Sequence, residues 1–158
     1  MDVPMWSVSL RTSCSEPMRA FISLLILFLA LPLSAAAADL VLIANPKAGI
    51  AHLTQDDVTN IYLGRYRRLT SGVTAEPIDL PNESEFKARF YRQLVSKSLP
   101  EINAYWSRLI FAGKTQPPQL AGSAEEAVRM VARRPGALAY VERPHADARV
   151  VVVFELAN

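Results

Sequence analysis

Two short runs of apolar residues most constrain the fold of this chain, Leu40–Ala44 and residues 137–141. A strand with one face in water alternates apolar and polar side chains, whereas an unbroken apolar run is typical of a strand covered on both faces. A third run, residues 150–154, has the same character. We therefore expect all three runs to be interior strands of one sheet, with helices packed on both of its faces.

Helix signals separate these runs. Capping-box sequences start at Thr54 and Ser123, and Pro100 is a residue favoured in the first turn of a helix. The elements predicted between the first two runs are a helix over 54–63 ended by Gly64, a strand over 74–80, helices over 82–95 and 100–112, an irregular loop over 114–122, and a helix over 123–134. Strands alternating with helices predict a single layered α/β domain with a mixed, partly parallel sheet flanked by helices.

The N-terminal segment has the composition of a secretory signal peptide. Residues 20–33 are almost wholly apolar, Arg19 precedes them, and four alanines occupy residues 35–38. A membrane anchor is the alternative, but it normally requires about 20 apolar residues, and this run is shorter. We expect cleavage near Ala38, leaving a periplasmic domain over 39–158 that is not stably inserted in a membrane. Either Met1 or Met18 can be the start of translation.

Composition argues against several classes of function. The formal net charge is only +2, which predicts no nucleic-acid or membrane surface. Cys14 is the single cysteine and precedes the apolar segment, so the mature domain has no disulfide or thiol chemistry. The histidines, His52 and His145, stand apart from any nucleophile or metal-ligand spacing in the sequence. We expect no catalytic residue, no cofactor and no metal.

The two strand-to-helix turns, over 45–54 and 79–84, are the places where a ligand could bind. The carboxyl ends of strands in α/β sheets border a crevice, and helix N-termini there present free N–H groups to an anion. Asn45, Thr54, Asn82 and Ser84 could donate hydrogen bonds into such a crevice. The alternative is that Thr54, Asn82 and Ser84 only cap their helices.

The order of several short motifs resembles the type 2 periplasmic binding proteins, specifically the phosphate-binding component of bacterial phosphate transporters and its short, stand-alone relatives. The resemblance extends from about Leu40 to Val153. It rests on Leu53-Thr54 with Asp57, Ile61-Tyr62-Leu63-Gly64-Arg65, Ser84 with Lys87 and Phe90, Trp106, and Gly136-Ala137-Leu138-Ala139-Tyr140-Val141. The resemblance implies a fold like one lobe of a binding protein, in a family that binds an oxyanion between two lobes, without catalysis, and delivers it to a permease.

The segment similar to the phosphate-binding turn of that family is altered. Its arginine is replaced by Leu80, its aspartate by Asn82, its two glycines by Glu83 and Glu85 and its threonine by Phe86, so that only Ser84 remains. Carboxylates in this turn oppose an anionic ligand, and side chains at glycine positions hinder close approach of the backbone. Two functions remain open: a binding module with a degraded oxyanion site, or a protein-protein interaction module of the cell envelope.

Two further groups allow a functional and a structural interpretation. Arg65, Arg67 and Arg68 form a basic cluster that could contact an anionic ligand or an acidic partner, or could simply be solvated. Trp106, next to Tyr105, could stack on a ligand or belong to the core.

Overall fold

The computed structural model describes residues 39–156, so the predicted signal peptide and start site lie outside the described part of the chain. Within these residues the strands are β1 Leu40–Ala44, β2 Glu76–Asp79, β3 Gln119–Leu120, β4 Ala137–Glu142 and β5 Val151–Glu155. The α-helices of the same part of the chain are α1 Gln55–Tyr62, α2 Glu85–Val95, α3 Leu99–Phe111 and α4 Ala124–Arg133. Short 3-10 turns occupy Pro46–Ala48 and Arg143–His145.

The strands form one mixed sheet in the order β3-β2-β4-β1-β5. β2 is parallel to β3 and β4, whereas β1 is antiparallel to β4 and β5. The predicted layered α/β domain with a partly parallel sheet is therefore confirmed. Because β1 and β2 flank β4 and run in opposite directions, they finish at opposite ends of the sheet. We call these the β1 end, where β1 stops at Ala44, and the β2 end, where β2 stops at Asp79.

The apolar runs of β1 and β4 are interior strands, as predicted, and every residue of β1 is buried. The prediction for 150–154 was wrong, because β5 is an edge strand with Val151, Val152 and Phe154 only partly buried. Its free edge is partly used by the loop before α1, where the Leu53 N–H donates to Val153 O at 2.8 Å. An apolar run therefore does not distinguish an interior strand from a partly covered edge.

The loop predicted as irregular contains β3. This two-residue strand pairs with β2 through Ile78 and Asp79, and the Ala121 N–H continues the pairing by donating to Asp79 O at 2.9 Å. β2 would otherwise expose its backbone groups along one side. The neighbouring strand, rather than the local sequence, gives this proline-containing loop its extended form.

Glycine is required where the chain leaves α1 and where it enters β4. Gly64 has φ +65°, and a Cβ there would lie 2.8 Å from Trp106 Cη2. A Cβ on Gly136 would lie 1.9 Å from the Thr74 carbonyl oxygen. Neither position has room for a side chain, and Gly64 also adopts a left-handed backbone conformation that favours glycine. Within residues 39–156, no helix combines the length and apolarity that crossing a bilayer requires.

Candidate functional site

A buried carboxylate lies where β2 stops at the β2 end. Asp79 is 4% exposed, and Lys87 of the first turn of α2 is 5% exposed. Lys87 Nζ lies 3.0 Å from Asp79 Oδ2, and the Tyr91 hydroxyl donates to the same oxygen at 3.1 Å. Asp79 Oδ1 accepts from the Leu80 N–H at 3.0 Å and from the Tyr140 hydroxyl. The buried charge is therefore paired and hydrogen-bonded, as a buried carboxylate must be.

The tyrosines around Asp79 are fixed as neutral donors. Burial, followed by the negative charge of Asp79, raises the pKa of Tyr91 and of Tyr140 well above the ordinary value. The pKa of Tyr62 is raised by the same two effects, and its hydroxyl donates to Ile78 O and Leu138 O. Phe90 stacks on Tyr140 at 3.9 Å between ring centroids. None of these hydroxyls can act as a base or nucleophile near neutral pH.

A cavity of about 290 Å³ opens beside this network. Its polar lining consists of Asp79, Asn82, Lys87, Asn103 and Ser107. The apolar lining includes Ile102, Trp106, Ile110, Pro117, Pro118 and Leu120. We call it the α2 cavity, because it lies beside the start of α2.

Donors face an incoming ligand in the α2 cavity more than acceptors do. Among residues 39–156, the Lys87 ammonium has one ion-pair partner for its three N–H donors, while Asp79 is already engaged by four donors. The indole N–H of Trp106 is buried and has no hydrogen-bond partner among residues 39–156. The available chemistry therefore suits a ligand rich in acceptor oxygens.

The first turn of α2 is open to solvent. Ser84 occupies the N-cap position but makes no side-chain capping bond within the described part of the chain, and Asn82 is exposed. Within residues 39–156, the N–H groups of Glu85 and Phe86 have no backbone acceptor. Glu83 and Glu85 are exposed beside them. The turn thus offers free N–H donors and a hydroxyl, accompanied by two negative charges.

The other two predicted site residues lie elsewhere and are engaged in capping. Asn45, 4% exposed, donates to Val131 O at 2.8 Å and Ala132 O at 2.9 Å, and accepts from the Lys47 N–H. Thr54 and Asp57 form the predicted reciprocal capping box. Gln55, next to Thr54, donates to Leu94 O in the last turn of α2. Since ten residues of helix span about 15 Å, Thr54 is well separated from Ser84.

The fold therefore brings Asn82 and Ser84 together and places Asn45 and Thr54 at a distance. Sequence reasoning missed the parts that Asp79, Lys87, Tyr91 and Tyr140 play in this site. A carboxylate that ends a buried strand, followed by a lysine in the first turn of the next helix, was the available signal. Among the described residues, no group of three or more His, Cys, Asp or Glu side chains could hold a metal ion.

The geometry also bears on the basic cluster and on Trp106, for which a functional and a structural interpretation were both open. Arg67 donates to Thr115 Oγ1 and Gln116 O, so its guanidinium ties down the loop before β3. Arg65 instead contacts the Asn60 side chain at 3.2 Å and is exposed. Trp106 is 7% exposed and belongs to the core, although one of its sides lines the α2 cavity.

Neither a protein-family model nor a curated protein matches this sequence. Solved structures do match. An ABC-type phosphate transport receptor from Vibrio cholerae has a TM-score of 0.59 at 13% identity, over 73% of this chain and 45% of its own. A protein from Clostridium perfringens, described as a phosphate ABC transporter substrate-binding protein with bound phosphate, has a TM-score of 0.58 at 16% identity, over 73% and 44%. For PstS from Borrelia burgdorferi the TM-score is 0.57 at 14% identity, over 77% and 49%.

These neighbours confirm the expected resemblance to phosphate-binding proteins as a likeness of fold. At such low identity the likeness extends to the fold alone. The chain spans less than half the length of each neighbour.

Proposed function

We propose that residues 39–158 form a non-catalytic binding module of the periplasm, which holds an oxyanion such as phosphate weakly at the β2 end. The observation that carries the proposal is the open first turn of α2, beside the α2 cavity. Within residues 39–156, the Ser84 hydroxyl makes no capping bond there and the N–H groups of Glu85 and Phe86 have no backbone acceptor. The names of the fold neighbours, which include one with bound phosphate, support the same class of ligand.

Weak binding follows from the charges at this turn. A helix N-terminus attracts anions, but Glu83 and Glu85 place two carboxylates beside the same N–H groups. Their side chains also occupy space that a backbone cradle would leave open. We expect a Kd for phosphate poorer than about 0.1 mM, equivalent to roughly 5 kcal/mol of binding free energy.

Calorimetric titration with phosphate tests this proposal. The Glu83→Gly/Glu85→Gly double variant should bind more tightly than the wild type, because it removes the repulsion and admits close backbone approach. The Glu83→Gln/Glu85→Gln variant separates the two effects, since it removes only the charge. Asp56→Asn is a matched control, because Asp56 is an exposed carboxylate in the first turn of α1, at another helix start.

Two results would count against the oxyanion site. Micromolar phosphate binding by the wild type would mean that Glu83 and Glu85 do not oppose the ligand or that the ligand binds elsewhere. Equal affinities of the wild type and both Glu83/Glu85 variants would leave the second candidate function as the better one.

The second candidate is an interaction module that contacts another envelope protein or a second copy of itself. Exposed apolar side chains at the end of α3 and in β3 favour it: Phe111 is 97% exposed, Leu120 60% and Ile110 48%. Such side chains mark interaction surfaces when they cluster. Sedimentation equilibrium of the wild type and Phe111→Ser would detect self-association, and a monomer at all concentrations would exclude the second copy.

Export is the remaining part of the proposal. Cleavage next to Ala38 predicts a mature chain that begins near Asp39. Mass spectrometry of the protein isolated from the periplasm would give this N-terminus. Recovery of a chain that retains residues 24–33 in the membrane fraction would contradict it.

A further inference from the structure

A second and larger cavity, of about 440 Å³, lies on the opposite side of α3 from the α2 cavity. It is a groove between the last turn of α1, the α2–α3 turn and α3, and we call it the α1–α3 groove. Its apolar lining includes Leu63, Val95, Ile102, Ala104 and Tyr105. A cavity of this size with an apolar interior is large enough for a small organic molecule.

The polar residues of the α1–α3 groove carry a positive excess. Arg65, Lys97 and Arg108 face a single acidic side chain, Glu101. The ion pairs among residues 39–156 leave Arg65 and Arg108 without an acidic partner, while Lys97 pairs with Glu101 at 3.0 Å. Two cations are therefore available to a ligand.

Glu101 is committed to the protein rather than to the groove. Its carboxylate accepts from the Ser98 N–H at 2.9 Å and from the Ser98 hydroxyl at 2.8 Å. These bonds, with that from Lys97, lower the pKa of Glu101 to about 2. The Tyr105 hydroxyl is likewise engaged, since it donates to Leu63 O at 2.7 Å and joins α3 to the end of α1. The groove is therefore held open by fixed contacts, with its free charges at the rim.

We propose that the α1–α3 groove binds a small organic anion with an apolar body, such as an aromatic sulfonate or carboxylate. The apolar body lies against the lining from α1 and α3, while the anionic group lies near Arg65 and Arg108. A bare inorganic anion gains only the rim contacts, which are weak in water. This site is separate from the proposed phosphate site at the start of α2.

Two fluorescent probes that share an apolar body test the proposal. 8-Anilinonaphthalene-1-sulfonate carries one negative charge, and N-phenyl-1-naphthylamine is its neutral counterpart. The sulfonate should bind the folded protein several-fold more tightly, and added NaCl should weaken the sulfonate but not the amine. Before the probe is added, the protein must show a strong near-ultraviolet circular dichroism signal from its packed aromatic side chains, because loosened proteins also bind this sulfonate. Equal affinities for the two probes would overturn the proposal.

Substitutions then test whether the probe binds in the α1–α3 groove. Arg65→Gln and Arg108→Gln should each weaken sulfonate binding about threefold, as expected for the loss of one solvated charge contact. Arg92→Gln is the matched control, because Arg92 is exposed on α2 and does not line the groove. Ala104→Trp fills the groove without changing a charge and should abolish binding of both probes. A control variant as weak as Arg108→Gln, or an Ala104→Trp variant that binds normally, would show that the probe lies elsewhere.

Amide NMR shifts distinguish sulfonate binding in the groove from phosphate binding at the start of α2. The sulfonate should shift the backbone signals of Thr59, Leu63 and Ala104, whereas phosphate should shift those of Ser84, Glu85 and Phe86. Sulfonate shifts confined to the start of α2 would contradict the groove, and they would leave the phosphate proposal to its own titration.

Discussion

The two strand-to-helix connections of this domain contain the same kinds of residue but serve different ends. After β1, Asn45 is buried with three hydrogen bonds and Thr54 shares a reciprocal cap with Asp57. After β2, Asn82 is exposed and Ser84 makes no side-chain cap. The difference comes from neighbouring chain, since the end of α4 lies against Asn45. A polar residue at a strand end is available to a ligand only where the fold leaves it unengaged.

The β2 connection is stabilised by buried contacts beneath the turn rather than by bonds within the turn itself. Asp79, Lys87, Tyr91 and Tyr140 form a buried network beneath the open first turn of α2. The exposed donors can stay free because this network, rather than the turn itself, holds the start of α2 against β2. The predictions below test that division, beginning with the largest expected effect.

Removing the buried carboxylate should destabilise the domain most. Asp79→Ala leaves the Lys87 ammonium buried without its counter-ion and the Tyr91 and Tyr140 hydroxyls without their acceptor, and breaking a buried ion pair costs about 3–5 kcal/mol. Urea unfolding would measure the loss. Asp147→Ala, which removes an exposed pair with Arg149, is the control and should change the unfolding midpoint little. Similar losses in both variants would mean that the Asp79 network does not hold the β2 connection.

Sequence patterns gave much of the fold, because caps and apolar runs act locally. The capping box at Thr54, the turn at Gly64 and the interior runs of β1 and β4 were all predicted correctly. Strand order was not predictable, since pairing between distant segments sets it. The edge position of β5 and the short β3 both follow from which strand lies beside them.

For the same reason, only two of the four predicted site residues lie together in the fold. Asn82 and Ser84 are neighbours in sequence and stay together in the fold, whereas Asn45 would join them only if β1 and β2 were parallel. The antiparallel direction of β1 places it at the other end of the sheet. Lys87 was visible in the sequence, but its partner Asp79 depends on how α2 packs on β2.

The two asparagines give the sharpest test of the comparison. Asn45→Ala should destabilise the domain by about 1–3 kcal/mol, because it removes buried hydrogen bonds to Val131 O and Ala132 O. Asn82→Ala should stay within about 0.5 kcal/mol, as expected for an exposed side chain. Urea unfolding of the two variants measures both values. An Asn82→Ala loss equal to that of Asn45→Ala would remove the distinction between the connections.

The two helix caps should differ by a smaller amount. Thr54→Ala removes a hydroxyl that accepts from the Asp57 N–H at 3.2 Å, and loss of such a cap costs typically about 1 kcal/mol. Ser84→Ala removes no capping bond and should cost only a few tenths of that figure. Thermal unfolding followed by circular dichroism would rank them. A larger effect of Ser84→Ala would show that Ser84 caps α2 in solution and is not free for an anion.

The smallest expected effect is the pH dependence of the Thr54 cap. Hydrogen bonds from the Thr54 side chain, followed by that from its backbone, lower the pKa of Asp57 below its ordinary value of 3.8. A carboxyl with a depressed folded pKa contributes stability that is complete above the unfolded pKa and is lost as the pH falls through the folded pKa.

The destabilisation caused by Thr54→Ala should therefore shrink between about pH 5 and pH 2. Urea unfolding of the wild type, Thr54→Ala and Ser84→Ala across this range measures it, with Ser84→Ala expected to keep a constant difference. A Thr54→Ala difference that is equally constant would mean that the Asp57 carboxylate does not contribute to the cap, and the first connection would then be closed by the Thr54 hydroxyl alone.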